Sequence, residues 1–394
     1  MFKKLQKLDY WIAVPFATLS MLGVVMVFSA TQGTTTALTN FIKQALFVVI
    51  GLFGAFSLYH FNLKTLQQMK LLRQILGVVI GALVIAKFMM PAVNGAQGWI
   101  NLGIVTLQPA EFLKLALILY FAAFFAHEPW QAHVPLRFQP IARVKAWRWP
   151  ALALFLVFIM PDNGNGLILL LILLAIFLAS GVSRKTIALI AAIGGLGFGF
   201  LQTIIRLLNH YFNFNSGKHY ALARLTSFVN PWDPNAADAS RQLLYGYYAI
   251  AHGGFFGVGL GNSLIKPYLP ESNTDFIMAV MTEELGAVTT AAVLILLLIL
   301  VCRMVILGIR QRNQYYRLLL FGIATLLFIQ MLVNLGGVIG VLPITGVVFP
   351  FISGGGSSYI VFSAAIGITL NIAATQKREV SIHPADTLAR KDYK

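Results

Sequence analysis

Long apolar runs alternate with short polar connections along almost the whole chain. A helix needs about 20 apolar residues to cross the hydrocarbon of a bilayer, and somewhat fewer inside a bundle. By that measure the runs at 10–30, 41–59, 72–90, 110–126, 150–160, 166–180, 187–204, 276–305, 318–340 and 358–374 predict ten transmembrane helices. The fifth and sixth are short and closely spaced. The expected fold is an all-α polytopic membrane protein. One connection breaks the pattern of short loops. Residues 206–274 are long and rich in aromatics, among them Tyr211, Tyr220, Trp232, Tyr245 and Tyr248. Loops of this length are commonly functional or disordered. The Gly, Tyr, Phe and Leu content here predicts an ordered structure skimming the membrane.

Composition and charge sharpen this picture. The 394 residues are 58% hydrophobic and 11% charged, against about 25% charged in a soluble domain, and mean hydropathy is +0.79. A formal net charge of +16 suggests nucleic acid until the positions of the charges are considered. With the N-terminus cytoplasmic, the cytoplasmic segments hold Lys3, Lys4, Lys7, Lys64, Lys70, Arg73, Arg137, Arg143, Lys145, Arg148, Arg184 and Lys185. They also hold Arg303, Arg310, Arg312, Arg317, Lys377, Arg378, Arg390, Lys391 and Lys394, whereas the short external loops 31–40 and 341–352 carry no Lys or Arg. Ten spans with both termini inside satisfy the positive-inside rule, so the basic residues are a topology and headgroup signal. The single cysteine, Cys302, lies in an apolar run and excludes disulfides and thiolate metal sites. No small-residue cleavage site precedes the first run, which is expected to be a retained span. The expected organisation is one domain over 1–376, with a large external loop at 205–275, and a flexible cytoplasmic tail over 377–394.

Candidate chemistry concentrates in 253–286, GGFFGVGLGNSLIKPYLPESNTDFIMAVMTEELG. Carboxylates at the edge of a membrane are expensive and mark function. Asp275, at the outer mouth of the eighth run, can take a proton from an alcohol or bind a cation. An Asp ahead of an apolar helix also suits an N-cap. Glu283 and Glu284 lie about two turns deeper, with Glu283 nearer the face of Asp275 at roughly 100° per residue. Structural hydrogen bonds are expected of both, one of them within the Asp275 cavity. Lys266 is placed to neutralise a diphosphate, with Arg224 and Arg241 as further candidates and a plain headgroup contact as the competing role. The glycines at 253, 254, 257, 259 and 261 lack the strand and the Gly-Lys-Ser/Thr of a nucleotide loop, so close packing is expected of them.

Three other stretches contribute. Residues 334–358, NLGGVIGVLPITGVVFPFISGGGSS, hold Pro343, Pro350 and three consecutive glycines between apolar runs. Non-helical backbone at membrane depth must be buried or line a cavity, which predicts a re-entrant loop closing an external cavity. Ser357 and Ser358 at its end, and Glu271 just before Asp275, are candidate substrate contacts. In 95–114, Glu111 and Lys114 stand at i, i+3, an expected internal ion pair. Asp162 lies in a tight external turn, PDNG, on the side of the same cavity. No Ser–His–Asp or Cys–His set converges.

These stretches together resemble the SEDS family (shape, elongation, division and sporulation; FtsW/RodA/SpoVE). The resemblance is carried by GAQGWINLGIVTLQPAEFLKLAL, PDNGNG, GVGLGNSLIKPYLPESNTDFIMAVMTEELG and NLGGVIGVLPITGVVFPFISGGGSS, and spans nearly the whole chain. It implies a ten-span peptidoglycan glycosyltransferase that polymerises lipid II at the outer face of the bacterial plasma membrane. It also implies a class B penicillin-binding protein as transpeptidase partner, alongside other membrane proteins of the division or elongation machinery. In the family the Asp of L-P-E-x-x-T-D-F is the catalytic residue, and here that position is Asp275. Departures are local: Asn273 replaces the usual His, Met278 the usual Phe, Gly354 the usual Tyr of Ser-Tyr-Gly-Gly-Ser-Ser, and Asn165-Gly166 the usual Thr-Ala. None removes a carboxylate. The MVFSAT stretch at 26–31 leans towards the division branch.

The expected mechanism has Asp275 as general base on a sugar hydroxyl of the acceptor. The charge of the leaving polyprenyl diphosphate would be met by Lys266, Arg224, Arg241 or a divalent cation, Mg or Mn. Two other classes compete. A lipid II flippase would use a charged path at depth, for which Glu111–Lys114 and Glu283/Glu284 are available. A non-catalytic scaffold of the division machinery would survive loss of Asp275.

Overall fold

The computed structural model describes residues 8–91, 97–103, 105–128, 144–160, 162–181, 224, 227–228, 230–232 and 237–382. Ten α-helices are found among the described residues: α1 (Tyr10–Thr31), α2 (Ala37–His60), α3 (Met69–Met89), α4 (Pro109–His127) and α5 (Val144–Ile159), followed by α6 (Asn163–Ala179), α7 (Ala237–Gly253), α8 (Ile277–Arg310), α9 (Gln314–Val338) and α10 (Gly356–Ile382). Seven of them, α1–α4 and α8–α10, are long and apolar enough to cross a membrane, and α5 and α6 are shorter apolar helices. Nine of the ten expected spans are therefore helices, and the run at 187–204 lies outside the described residues, as does most of the loop before α7. The chain is a multi-pass, predominantly helical membrane protein. Two local differences have simple causes. The β-branched residues around Asn101-Leu102-Gly103 form a small antiparallel hairpin, Ile100–Asn101 against Thr106–Leu107, with Gly103 at φ 87 in its turn. The last helix runs past residue 376 to Ile382 because Gln376, Lys377, Arg378 and Glu379 are good helix formers.

Burial separates the central helices from the peripheral ones. α4 has 83% of its membrane window buried and α2 only 22%, so α4 runs through the bundle and α2 faces lipid. Small residues let helices approach where no hydrophobic drive exists between them; Gly51 of α2 lies against Tyr359 and Ser363 of α10. At one end Arg303 Nη2 donates to Asp9 Oδ2 (2.6 Å) and Lys377 Nζ to the Leu8 carbonyl (3.2 Å). These bonds tie the start of α1 to the ends of α8 and α10. This end carries the basic residues, so the positive-inside rule makes it the inner one. The start of α8, with Asp275, belongs to the outer end.

α8 is not one uninterrupted rod. Gly286 sits at φ 83, ψ 166 inside it, about 13 Å below its start. The loop following α7 fills the break: Val258 N donates to the Glu283 carbonyl and Gly259 N to the Glu284 carbonyl, both at 2.9 Å. Ala287 N returns a bond to the Gly254 carbonyl (3.0 Å). The glycine-rich stretch thus satisfies the carbonyls that the broken helix frees, as backbone at this depth requires.

Candidate active site

Three segments converge on the peptide that carries Asp275. Glu271, at φ 55, turns the chain so that Thr274 N and Phe276 N both donate to its carbonyl. The stretch before α10 crosses this turn. Ser353 Oγ donates to the Thr274 carbonyl (2.6 Å) and accepts from Phe349 N (2.7 Å), while Gly354 N donates to the Asn273 carbonyl (2.8 Å). From α9, Asn334 Nδ2 donates to the carbonyls of Asp275 and Val347, each at 2.7 Å. The non-helical stretch between α9 and α10, together with Asn334 of α9, therefore holds the carboxylate's own backbone.

The Asp275 side chain is left unusual by this arrangement. It is 5% exposed, yet Oδ1 accepts only a long bond from Thr274 Oγ1 (3.3 Å) and Oδ2 is buried without a partner. It does not cap α8, whose N-cap is Phe276. Burial pushes its carboxyl up from 3.8 to about 7, against the pull of the Arg224 guanidinium and with a smaller push from Glu271. Arg224 reaches this region because residue 346 is glycine, at φ 72, with the guanidinium nitrogens where a side chain would point. Asp275, Phe276, Asn334, Gly346 and Val347 line a cavity of about 10 Å³, the room that one water needs. A carboxylate poised near neutrality beside a cation is suited to take a proton from a hydroxyl.

The other candidates divide between this site and the scaffold. Arg224 and Glu271 lie close enough to act on Asp275 electrostatically. Glu271 Oε2 accepts from Thr274 Oγ1 (2.7 Å). Arg241 is on α7 with its side chain exposed. Lys266 is elsewhere: its Nζ donates to Glu284 Oε1 (3.0 Å) and to the carbonyls of Ser29 (2.9 Å) and Gly261 (3.1 Å). All three ammonium protons are used in a buried pair, which leaves none for a diphosphate. Glu283 accepts from His252 Nδ1 (2.8 Å), Ser263 Oγ, Leu264 N (3.0 Å) and Ile265 N (3.3 Å). Neither glutamate lines the Asp275 cavity; both fasten the loop after α7 onto α8.

Asp162 is the N-cap of α6, accepting from Asn165 N (3.2 Å) and from Gln108 Nε2 (3.1 Å). Ser357 is also engaged with Gln108, whose backbone N donates to Ser357 Oγ (2.9 Å). Ser358 is buried at the start of α10. Asp162, Ser357 and Ser358 thus lie outside the lining of the Asp275 cavity. Deeper in the bundle, Lys114 Nζ donates to Glu111 Oε1 (2.7 Å) and to Gln330 Oε1 (2.8 Å). Sequence reasoning missed Asn334, Gln330 and Ser29, single polar residues in apolar surroundings that only their burial distinguishes, and the half-buried Gln108, known only by its bonds to Asp162 and Ser357. Among the described residues no three His, Cys, Asp or Glu side chains group as a metal site. A cation here would have to draw on Asp275, Glu271 and phosphate oxygens of a substrate.

Known proteins resemble this chain in sequence and in fold. The FtsW/RodA/SpoVE cell cycle protein model matches residues 10–378. Among curated relatives, the "Probable peptidoglycan glycosyltransferase FtsW" of Lactococcus lactis is 37% identical, covering 95% of this chain and 94% of its own. The protein of the same description in Bacillus subtilis is 35% identical, covering 100% and 97%. Among solved structures, a chain of a peptidoglycan synthase complex that coordinates polymerization and crosslinking superposes with a TM-score of 0.71 at 26% identity, covering 94% of this chain and 98% of that one. The rod shape determining protein RodA of Thermus thermophilus shares the fold, with a TM-score of 0.63 at 24% identity over 94% and 97%. A family match over nearly the whole length, with relatives more than 30% identical across both chains, makes this chain a member of the FtsW/RodA/SpoVE family of cell cycle proteins.

Proposed function

We propose that this protein is a peptidoglycan glycosyltransferase that polymerises lipid II at the outer face of the bacterial plasma membrane, and that Asp275 is its general base. One observation carries the reading: at the outer end of the bundle a buried carboxyl, unpaired at Oδ2, sits beside the Arg224 guanidinium. In the step, Asp275 takes the proton of an acceptor sugar hydroxyl as that oxygen bonds to the anomeric carbon of the donor. The bond from that carbon to the diphosphate breaks, and its electron pair leaves with the polyprenyl diphosphate. Arg224 is the cation placed for that charge. A divalent cation would add to it if held by the substrate's phosphates together with Asp275 and Glu271. Lipid tails on donor and acceptor explain a site at the membrane edge. A class B penicillin-binding protein is the proposed transpeptidase partner, and the division branch, with enrichment at the septum, is the proposed setting.

A second reading, lipid II transport, is favoured by one feature, the Glu111–Lys114–Gln330 cluster buried inside the bundle. The deciding experiment incubates purified protein, its transpeptidase partner and labelled lipid II, comparing wild type with Asp275→Ala. Polymer from wild type alone is expected. Equal polymer from both would sink the role of Asp275, and none from either, with partner bound, would favour transport or scaffolding.

A further inference from the structure

The mechanism leaves one buried group beside Asp275 unused. Asn334, on α9, is 3% exposed. Its amide donates both protons to carbonyls, those of Asp275 and Val347. Because both partners are acceptors, only the NH₂ can face them, which fixes the amide orientation. Oδ1 is left buried with no partner, as is Asp275 Oδ2, and the two residues line the same water-sized cavity. Two buried acceptors that face one small cavity have no protein donor between them while Asp275 is ionised. They become a donor and an acceptor once Asp275 binds a proton.

We propose that Asn334 holds the proton that Asp275 takes from the acceptor hydroxyl, its Oδ1 accepting from the protonated carboxyl directly or through one water in the cavity. The inference rests on the reading of Asp275 as general base and adds a residue that acts through it. The proton leaves the sugar oxygen as that oxygen bonds to carbon, resides on Asp275 Oδ2 in a hydrogen bond to Asn334, and passes to solvent when the cavity next opens. Asn334 is thus a positioning residue for the proton and for the Asp275 peptide. The other groups facing Asp275 are Glu271 and Thr274 on its own turn and Arg224 from the segment before α7. α9 and the non-helical stretch after it contribute Asn334 and Thr345, and among the described residues no titratable side chain but Asp275 lines the cavity. The raised pKa of Asp275 is in keeping with an acceptor waiting for its proton.

The test is the acidic limb of the pH profile of lipid II polymerisation, with the transpeptidase partner present, in wild type, Asn334→Leu and Asn334→Asp. Leu has nearly the same shape and removes the acceptor, so the limb moves down by about one unit, a tenfold gain in acidity. Asp places a second carboxylate where two must share one proton, so the limb moves up. A merely structural role would lower the rate at every pH, or move both limbs the same way; either result, or unmoved limbs, overturns the proposal. Should one variant fail to fold, the other decides. Infrared difference titration supplies a readout independent of turnover. A carboxylic-acid band that is lost with rising pH, absent in Asp275→Asn and shifted in the Asn334 variant is expected, and no such band in wild type overturns the proposal. Wild type without polymer would defeat the glycosyltransferase reading, while the infrared titration still decides the role of Asn334.

Discussion

Burial leaves Asp275 poorly served: its backbone is held from three sides, while its carboxyl accepts a long bond from Thr274 at Oδ1 and has no partner at Oδ2. A group kept in that condition is expected to be chemically used. Asp275→Asn should leave folding intact, since it removes a buried charge, and lower polymerisation by about 10²–10⁴-fold, the usual worth of a positioned base. A folded variant with near-wild-type turnover would rule out proton abstraction there. The pH dependence has a definite sign. The base works when ionised, so wild-type rate falls as pH drops through about 7. Lys266 behaves in the opposite way to a catalytic group. Lys266→Met strands Glu284 without its cation and should cost about 3–5 kcal/mol, read as a drop in Tm in detergent. Lys266→Met with Glu284→Leu should regain most of that. A Lys266 variant of normal stability but weakened lipid II binding would restore the diphosphate role. Its expected place on the external side made Lys266 a candidate for the diphosphate or a headgroup. Its partner Ser29 lies on α1, and no spacing rule could have linked the two.

At the scale of elements, the break in α8 organises the outer end. Gly286 at φ 83, ψ 166 occupies a region open to glycine almost alone. A side chain there would run into the backbone of Phe255, Phe256 and Gly257. Gly286→Ala should therefore destabilise by on the order of 3 kcal/mol, and it should loosen the loop from 254 to 263, detectable as faster proteolysis in that stretch. A variant with unchanged Tm and cleavage would mean the helix can run straight. The apolar run at 276–305 predicted α8 but not its interruption, because a glycine after Glu-Glu-Leu looks like any glycine tolerated in a helix. The partner of the break, 253–259, was legible as a glycine-rich loop of close packing. What it packs against required the fold. The same holds for 334–358, whose prolines and glycines foretold the non-helical backbone at 339–355, while Ser353 and Asn334 supply the bonds that pin it to the Asp275 turn.

For the whole molecule, hydropathy was enough for the nine expected spans that fall among the described residues, because a bilayer leaves the backbone few choices. Long-range pairing was not legible, whereas the local pair was: Glu111 and Lys114 share a helix face and meet as spacing predicts. That pair also separates the two functional readings. It is fully buried on α4, and neither residue lines the Asp275 cavity. Lys114→Met should therefore destabilise by about 3–5 kcal/mol through the abandoned Glu111 carboxylate. Lys114→Met with Glu111→Leu removes the charge as well as its partner and should recover stability. If the outer cavity does the chemistry, the double variant polymerises lipid II at close to the wild-type rate. If the interior carries lipid headgroups, transport in proteoliposomes is lost in the same double variant, however well it folds. Polymerisation lost and stability recovered would mean that α4 transmits the state of the bundle interior to Asp275, and the separation of scaffold from site drawn above would fall.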